Sequence, residues 1–173
     1  PDTNPGHLFQ QNTMRDAFVA ALTFDIFHKY TDRLKMANIA QVVNVLQSMI
    51  LTKGDKMVLT PSYYVFKMYN VHQDATFLPL NVTCDKTTTR DNRELPLVSA
   101  TASRDKNKVI HISLSNIDLA NTEYITIDLN GIVAKAVSGE ILTSDNIADY
   151  NSFDNPNKVN PVPFNNAKIS KGV

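Results

Sequence analysis

The chain has 173 residues, 43% of them hydrophobic and 20% charged, and its seventeen basic residues balance seventeen acidic ones. This is the composition of a globular chain with room for one ordinary domain or two small ones, and it lacks the electrostatic footprint of a nucleic-acid binder or a polybasic membrane anchor. No apolar run approaches the roughly 20 residues of a membrane helix, and the opening "PDTNPGHLFQQ" has none of the order of a signal peptide, so neither nucleic acid nor membrane is expected as a partner.

The first strong element is "NTMRDAFVAALTFDIFHKY", where Asn12 or Thr13 can cap a helix, Asp16 stands three residues beyond Thr13, and Ala17 to Leu22 is apolar on more than one stripe. "DRLKMANIAQ" predicts a second, short helix. The run "VVNVLQSMI", from Val42 to Ile50, then reads as a strand covered on both faces, as parallel strands of α/β folds are. After a loop, "TKGDKMVL", Thr60 and Pro61 open another helix with Val65, Phe66 and Tyr69 on one side.

Near residue 75 the pattern changes. All five methionines lie before it, and the period-2 alternation lies after it. "VIHISLSN" sets Ile110, Ile112 and Leu114 against His111, Ser113 and Ser115, and "YITIDLNG" alternates in the same way, so both predict antiparallel strands with one buried and one solvated face. Leu97 to Arg104 joins Val109 to Ser115 through the hairpin loop "DKNK". Further strand-like runs at Thr76 to Thr83, Ala134 to Leu142 and Val162 to Phe164 suit a β-sandwich.

Motifs of catalysis are scarce. Five glycines leave little room for a phosphate cradle, and there is no G-x-S-x-G, H-E-x-x-H or P-loop. Cys84 is the single cysteine, which excludes an intrachain disulfide; without a neighbouring histidine it reads as a passive strand residue. Asp25 and His28, three apart on a helix, suit a metal or acid–base pair, but a surface ion pair or a solvated face is the simpler reading. His72 and Asp74 in "VHQDA" read as helix-end residues, and His111 as a solvent-facing strand residue. The only glutamates are Glu94, Glu123 and Glu140, with no spacing that marks a glycosidase pair. No cofactor and no metal site is expected.

The stretch from Gln10 to about Leu80 resembles the C-terminal end of the catalytic domain of family 51 α-L-arabinofuranosidases, through "NTMRDA", "MANIAQ", "NVLQ", "MVLTP", "VFKMY" and "VHQDA" in that order. The resemblance implies an α/β plus all-β chain: residues 1–75 as terminal helix–strand–helix units of a (β/α)₈ TIM barrel, and residues 76–173 as an antiparallel jelly-roll β-sandwich. It also implies retaining hydrolysis of terminal arabinofuranosyl groups by two glutamates. Both would lie upstream of Pro1, since no glutamate precedes Glu94. The chain on its own is then expected to be inactive, with no catalytic residue of its own. An arabinose-containing oligo- or polysaccharide is the implied partner of the intact enzyme.

The family's eighth strand carries a substrate-contacting glutamine, matched here by Gln47 in "NVLQ". An amide suits a furanose because it both donates and accepts. From the residues alone, Gln47 and Asn44 read as satisfying backbone or loop partners; the resemblance reverses that for Gln47, and Asn44 keeps it. An incomplete barrel leaves strand edges unpaired, so self-association, with a homo-oligomer as one form of it, is a further expectation. The alternatives are a carbohydrate-binding sandwich, disfavoured by the absence of tryptophan, and a purely structural module.

Overall fold

The structure, a computed structural model, describes residues 11–40 and 42–170. Helix α1 spans Met14–His28. The Asp16 carboxylate accepts from the Thr13 N–H at 2.7 Å and from its hydroxyl at 2.9 Å, which secures the first turn. Met14, Ala17 and Ala21 form its buried stripe, and the same 3–4 spacing carries that stripe on to Asp25.

The short helix expected at "DRLKMANIAQ" does not form: turns at 29–33 give way to irregular backbone at 34–39. Leu34 and Met36 stay exposed there, so nothing offsets the cost of nucleating so short a helix. The expected strand from Val42 to Ile50 is also absent. Its carbonyl at Val42 accepts from both Met49 and Ile50 N–H groups at 2.9 and 3.2 Å, and the Ser48 N–H reaches the Val45 carbonyl at 3.0 Å, closing a compact loop. Asn44 and Gln47 turn the chain with φ of 58° and 56°. A doubly covered strand needs neighbours on both sides, and the described residues supply one isolated bridge, Val43 to Ile50.

The stretch read as a loop is a hairpin, β1 (Ile50–Lys53) and β2 (Lys56–Leu59), with Leu51 and Val58 paired and buried. Gly54, at φ 61°, takes the first position of the two-residue turn, where a side chain would be strained. Helix α2 (Pro61–Tyr69) follows as expected, capped by Thr60, and a short 3₁₀ turn spans Asn70–His72.

Beyond it come β3 (Thr76–Leu78), β4 (Lys86–Thr88), β5 (Glu94–Pro96), β6 (Val98–Arg104), β7 (Ile110–Asn116), β8 (Glu140–Ile141) and β9 (Val162–Pro163). Among the described residues these strands pair antiparallel: β3–β6–β7 in one sheet and β1–β2, β4–β5 and β8–β9 as two-stranded ribbons. The β6–β7 hairpin stands where the alternation places it. The runs at 76–83 and 134–142 keep only short strand pieces, and 121–129 is irregular, with Ile125 and Ile127 exposed. Cys84 lies outside the strands, its thiol 3.7 Å from the Val98 carbonyl.

The core joins α1, α2 and the returning C-terminal segment. Met14, Ala17, Ala21, Val65 and the fully buried Val159 meet there, with Phe18, Phe24, Tyr69 and Leu142 packed around them. The Met14 and Arg15 N–H groups bond the Asp149 and Ile147 carbonyls, so this segment also caps the start of α1.

Candidate functional site

Gln47, the candidate sugar contact, sits exposed in the 42–50 loop rather than on a strand. Its side chain makes no hydrogen bond to a described residue. A glutamine at φ 56° is uncommon, and such backbone is kept only where the surroundings enforce it. The enforcement is visible: the buried Ser48 carbonyl accepts from the Thr60 hydroxyl at 2.9 Å, and the Met49 carbonyl from the Thr60 N–H at 3.0 Å. Asn44 is spent locally, its Oδ1 accepting from the Thr52 N–H at 2.7 Å and its Nδ2 donating to the Thr52 hydroxyl at 2.8 Å. That is the ordinary role expected of it.

The larger polar assembly lies elsewhere, and it corrects three expectations. Asp25 is not on a solvated face; it is 1% exposed and accepts from the Tyr69 hydroxyl at 2.8 Å and the Ser99 hydroxyl at 2.6 Å. His28 bonds Thr101 through Nδ1 at 3.0 Å. His72 closes the 3₁₀ turn after α2, a helix end as expected, but it is buried, with Nδ1 2.7 Å from the Ser103 hydroxyl and Nε2 2.8 Å from the Ser113 hydroxyl. His111 is partly buried, 3.3 Å from Asp105. The register pairs Ser99 with Ser115, Thr101 with Ser113 and Ser103 with His111, so these hydroxyls and the imidazole share one sheet face. That polar face packs on the helices while Leu114, on the opposite face, is 44% exposed. Buried hydroxyls are tolerated here because each finds a partner from α1, α2 or the 3₁₀ turn.

Burial pushes the Asp25 carboxyl above its usual range, against the opposing pull of the Ser99 and Tyr69 hydrogen bonds. Burial likewise pushes the Tyr69 hydroxyl well up, helped by Asp25. His72 is lowered to about 4 by burial and by the neighbouring His28 and His111. With its hydroxyls, imidazoles and carboxylate bonded to one another, this network ties the helices to the β6–β7 sheet. The other candidates do not converge. Asp74 turns the chain at φ 55°, Glu94 pairs with Lys86 at 2.6 Å on the surface, and Glu123 and Glu140 lie on separate segments. Among the described residues no cluster of His, Cys, Asp or Glu is arranged to hold a metal, and no helix is long and apolar enough to cross a membrane.

Sequence reasoning missed this network. The signal that could have found it is the continuation of the Met14, Ala17, Ala21 stripe through Asp25 to His28.

Comparison with known proteins places the chain. The profile of the α-L-arabinofuranosidase C-terminal domain matches residues 1–173. An intracellular exo-α-L-arabinofuranosidase of Bacteroides ovatus is 66% identical over the whole chain, which spans 34% of that protein's length. Among solved structures, the family 51 arabinofuranosidase of Xanthomonas axonopodis pv. citri superposes with TM-score 0.92 at 47% identity, over 98% of this chain and 34% of that one. The family 51 enzyme of Bifidobacterium longum, at 23% identity and TM-score 0.82 over 94% of this chain and 32% of that one, shares the fold. The sequence pieces from "NTMRDA" to "VHQDA", the two helices with small antiparallel sheets and these matches agree: the chain belongs to the α-L-arabinofuranosidase C-terminal domain family.

Proposed function

We propose that this chain works as the C-terminal part of a retaining α-L-arabinofuranosidase that removes terminal arabinofuranosyl groups from polysaccharides such as arabinan and arabinoxylan. The observation that carries the reading is the full-length family match together with 66% identity to an exo-α-L-arabinofuranosidase about three times as long. In this reading residues 1–75 supply the last units of a (β/α)₈ barrel and residues 76–173 a jelly-roll sandwich. Both helices precede residue 75, and the antiparallel sheet β3–β6–β7 follows it, which supports the division. Val42 and Val43 are 45% and 46% exposed, as suits a segment whose pairing strands lie elsewhere in the polypeptide.

A retaining glycosidase needs two carboxyl groups about 5 Å apart, one as acid/base and one as nucleophile. The three glutamates of this chain are spread over positions 94, 123 and 140, with no spacing that marks such a pair, and the pair is assigned to the rest of the enzyme. Gln47 is assigned the role of a sugar contact: its amide is exposed, free of described partners, and held by an enforced positive-φ loop. The test is hydrolysis of arabinan and arabinoxylan by the whole polypeptide, with the anomer of the first-formed arabinose read by proton NMR. Release of the α-anomer supports the reading; release of the β-anomer, or no arabinose at all, contradicts it.

A further inference from the structure

Three of the chain's four histidines meet between the helices and the β6–β7 sheet. The His28 and His72 rings are 4.7 Å apart and perpendicular, and His72 and His111 are 6.5 Å apart. His72 is the keystone. It comes from the 3₁₀ turn, lies over the polar face of the paired strands and bonds one hydroxyl from each, Ser103 of β6 and Ser113 of β7. A neutral imidazole satisfies this pair with one donor and one acceptor, since a serine hydroxyl can play either part. We propose that this histidine cluster is an acid-sensitive latch that holds the helical layer on the β6–β7 sheet at neutral pH and releases it on acidification.

The charges facing the cluster can be named from every side. Helix α1 contributes Asp25 and His28, with Lys29 at its end; α2 contributes the Tyr69 hydroxyl; β7 contributes His111, and the β6–β7 loop contributes Asp105. From β6 come only hydroxyls, Ser99, Thr101 and Ser103, followed by the exposed Arg104. One positive charge can be met at each end of the row: His28 lies near Asp25, and His111 lies 3.3 Å from Asp105. His72, in the middle, has among the described residues only His28 and His111 as charged neighbours, and no carboxylate. A proton there is a buried charge between two other imidazoles, which is the costly arrangement.

The direction of the pH effect follows. His72 is lowered to about 4 in the folded chain against an ordinary value of 6.5, by burial and then by His28 and His111. Between those values the unfolded chain binds more protons than the folded one, so acidification through that window favours opening. His28, lowered by burial, acts in the same sense. Asp25, raised by burial, acts in the opposite sense, holding its proton more firmly when folded. Two imidazoles thus oppose one carboxyl.

The experiment is hydrogen exchange on the whole polypeptide at pH 7.5 and 5.0, read over the residues of this chain and corrected for intrinsic exchange rates, beside the variant His72→Gln. Glutamine can bridge both serines but does not titrate. The wild type is expected to lose protection in β6, β7 and the end of α1 on the order of tenfold at pH 5.0, with the β1–β2 hairpin unchanged. His72→Gln is expected to lose much less. Equal losses in the two proteins, unchanged β6–β7 protection, or uniform loss across the chain would each overturn the latch. Should His72→Gln fail to fold, the wild-type His72 Cε1–H resonance decides: a titration midpoint well below 6.5, accompanied by the loss of β6–β7 protection, supports the latch, and a midpoint at or above 6.5 overturns it.

Discussion

Asp25 shows how much one residue can organise when its neighbours supply donors. Tyr69 and Ser99 reach it from a second helix and from a sheet, and burial leaves water little part in its solvation. Removing one donor strands a buried carboxylate. Tyr69→Phe is therefore expected to destabilise the chain by about 1.5–3 kcal/mol at pH 7, read from the urea midpoint. Because burial raises the Asp25 carboxyl, the deficit shrinks as acid protonates it, so the loss measured near pH 4 should be smaller than at pH 7. Gln47 and Asn44 make a second pair of residue-scale tests, only three positions apart in one loop. On the role proposed for Gln47, Gln47→Ala in the whole polypeptide removes one or two neutral hydrogen bonds, each about 0.5–1.5 kcal/mol, and kcat/KM is expected to fall about twofold to a hundredfold. Asn44→Ala instead loses its two bonds to Thr52 and is expected to lower stability with kcat/KM little changed. Wild-type kinetics for Gln47→Ala with collapse for Asn44→Ala would mean that the other amide contacts the sugar.

At the scale of elements, what was legible was local. Thr13 with Asp16, and Thr60 with Pro61, specify two helix starts through contacts within a single turn, and both helices begin there. Thr60 also donates to the Ser48 carbonyl, so it fixes the Gln47 loop as well as the helix. Thr60→Ala is expected to cost about 1–2 kcal/mol in the urea midpoint, and in the whole enzyme to raise KM through the loosened loop. The "DKNK" hairpin was equally local, with the Asn107 and Val109 N–H groups donating to the Asp105 carboxylate at 2.9 Å. What was not legible depended on partners distant in the chain. Val42 to Ile50 has the composition of a buried strand, but a strand is made by its neighbours, and without them the segment closes on itself. The β7 alternation correctly marked a strand and misplaced its faces. Polarity cannot say that Ser113 and Ser115 will meet His72 and Tyr69 rather than water.

The whole molecule carries large apolar side chains with nothing on them. Val19 and Ile26 on α1 are 59% and 55% exposed, Met36 75%, Met57 62% and Tyr124 96%. The chain spans 34% of its relative's length, and exposed apolar surface of this kind marks a site of association with other polypeptide. The isolated chain is therefore expected to self-associate, with a sedimentation coefficient that rises with concentration; a monomer at all concentrations would count against that reading. That the hydrolytic carboxylates lie outside residues 1–173 is tested most directly by turnover of 4-nitrophenyl α-L-arabinofuranoside, measured on this chain alone and on the whole polypeptide at equal molar concentration. The chain alone should match a buffer blank while the whole polypeptide turns over. Release of nitrophenol by the chain alone, at a rate that scales with its concentration and survives further purification, would contradict it.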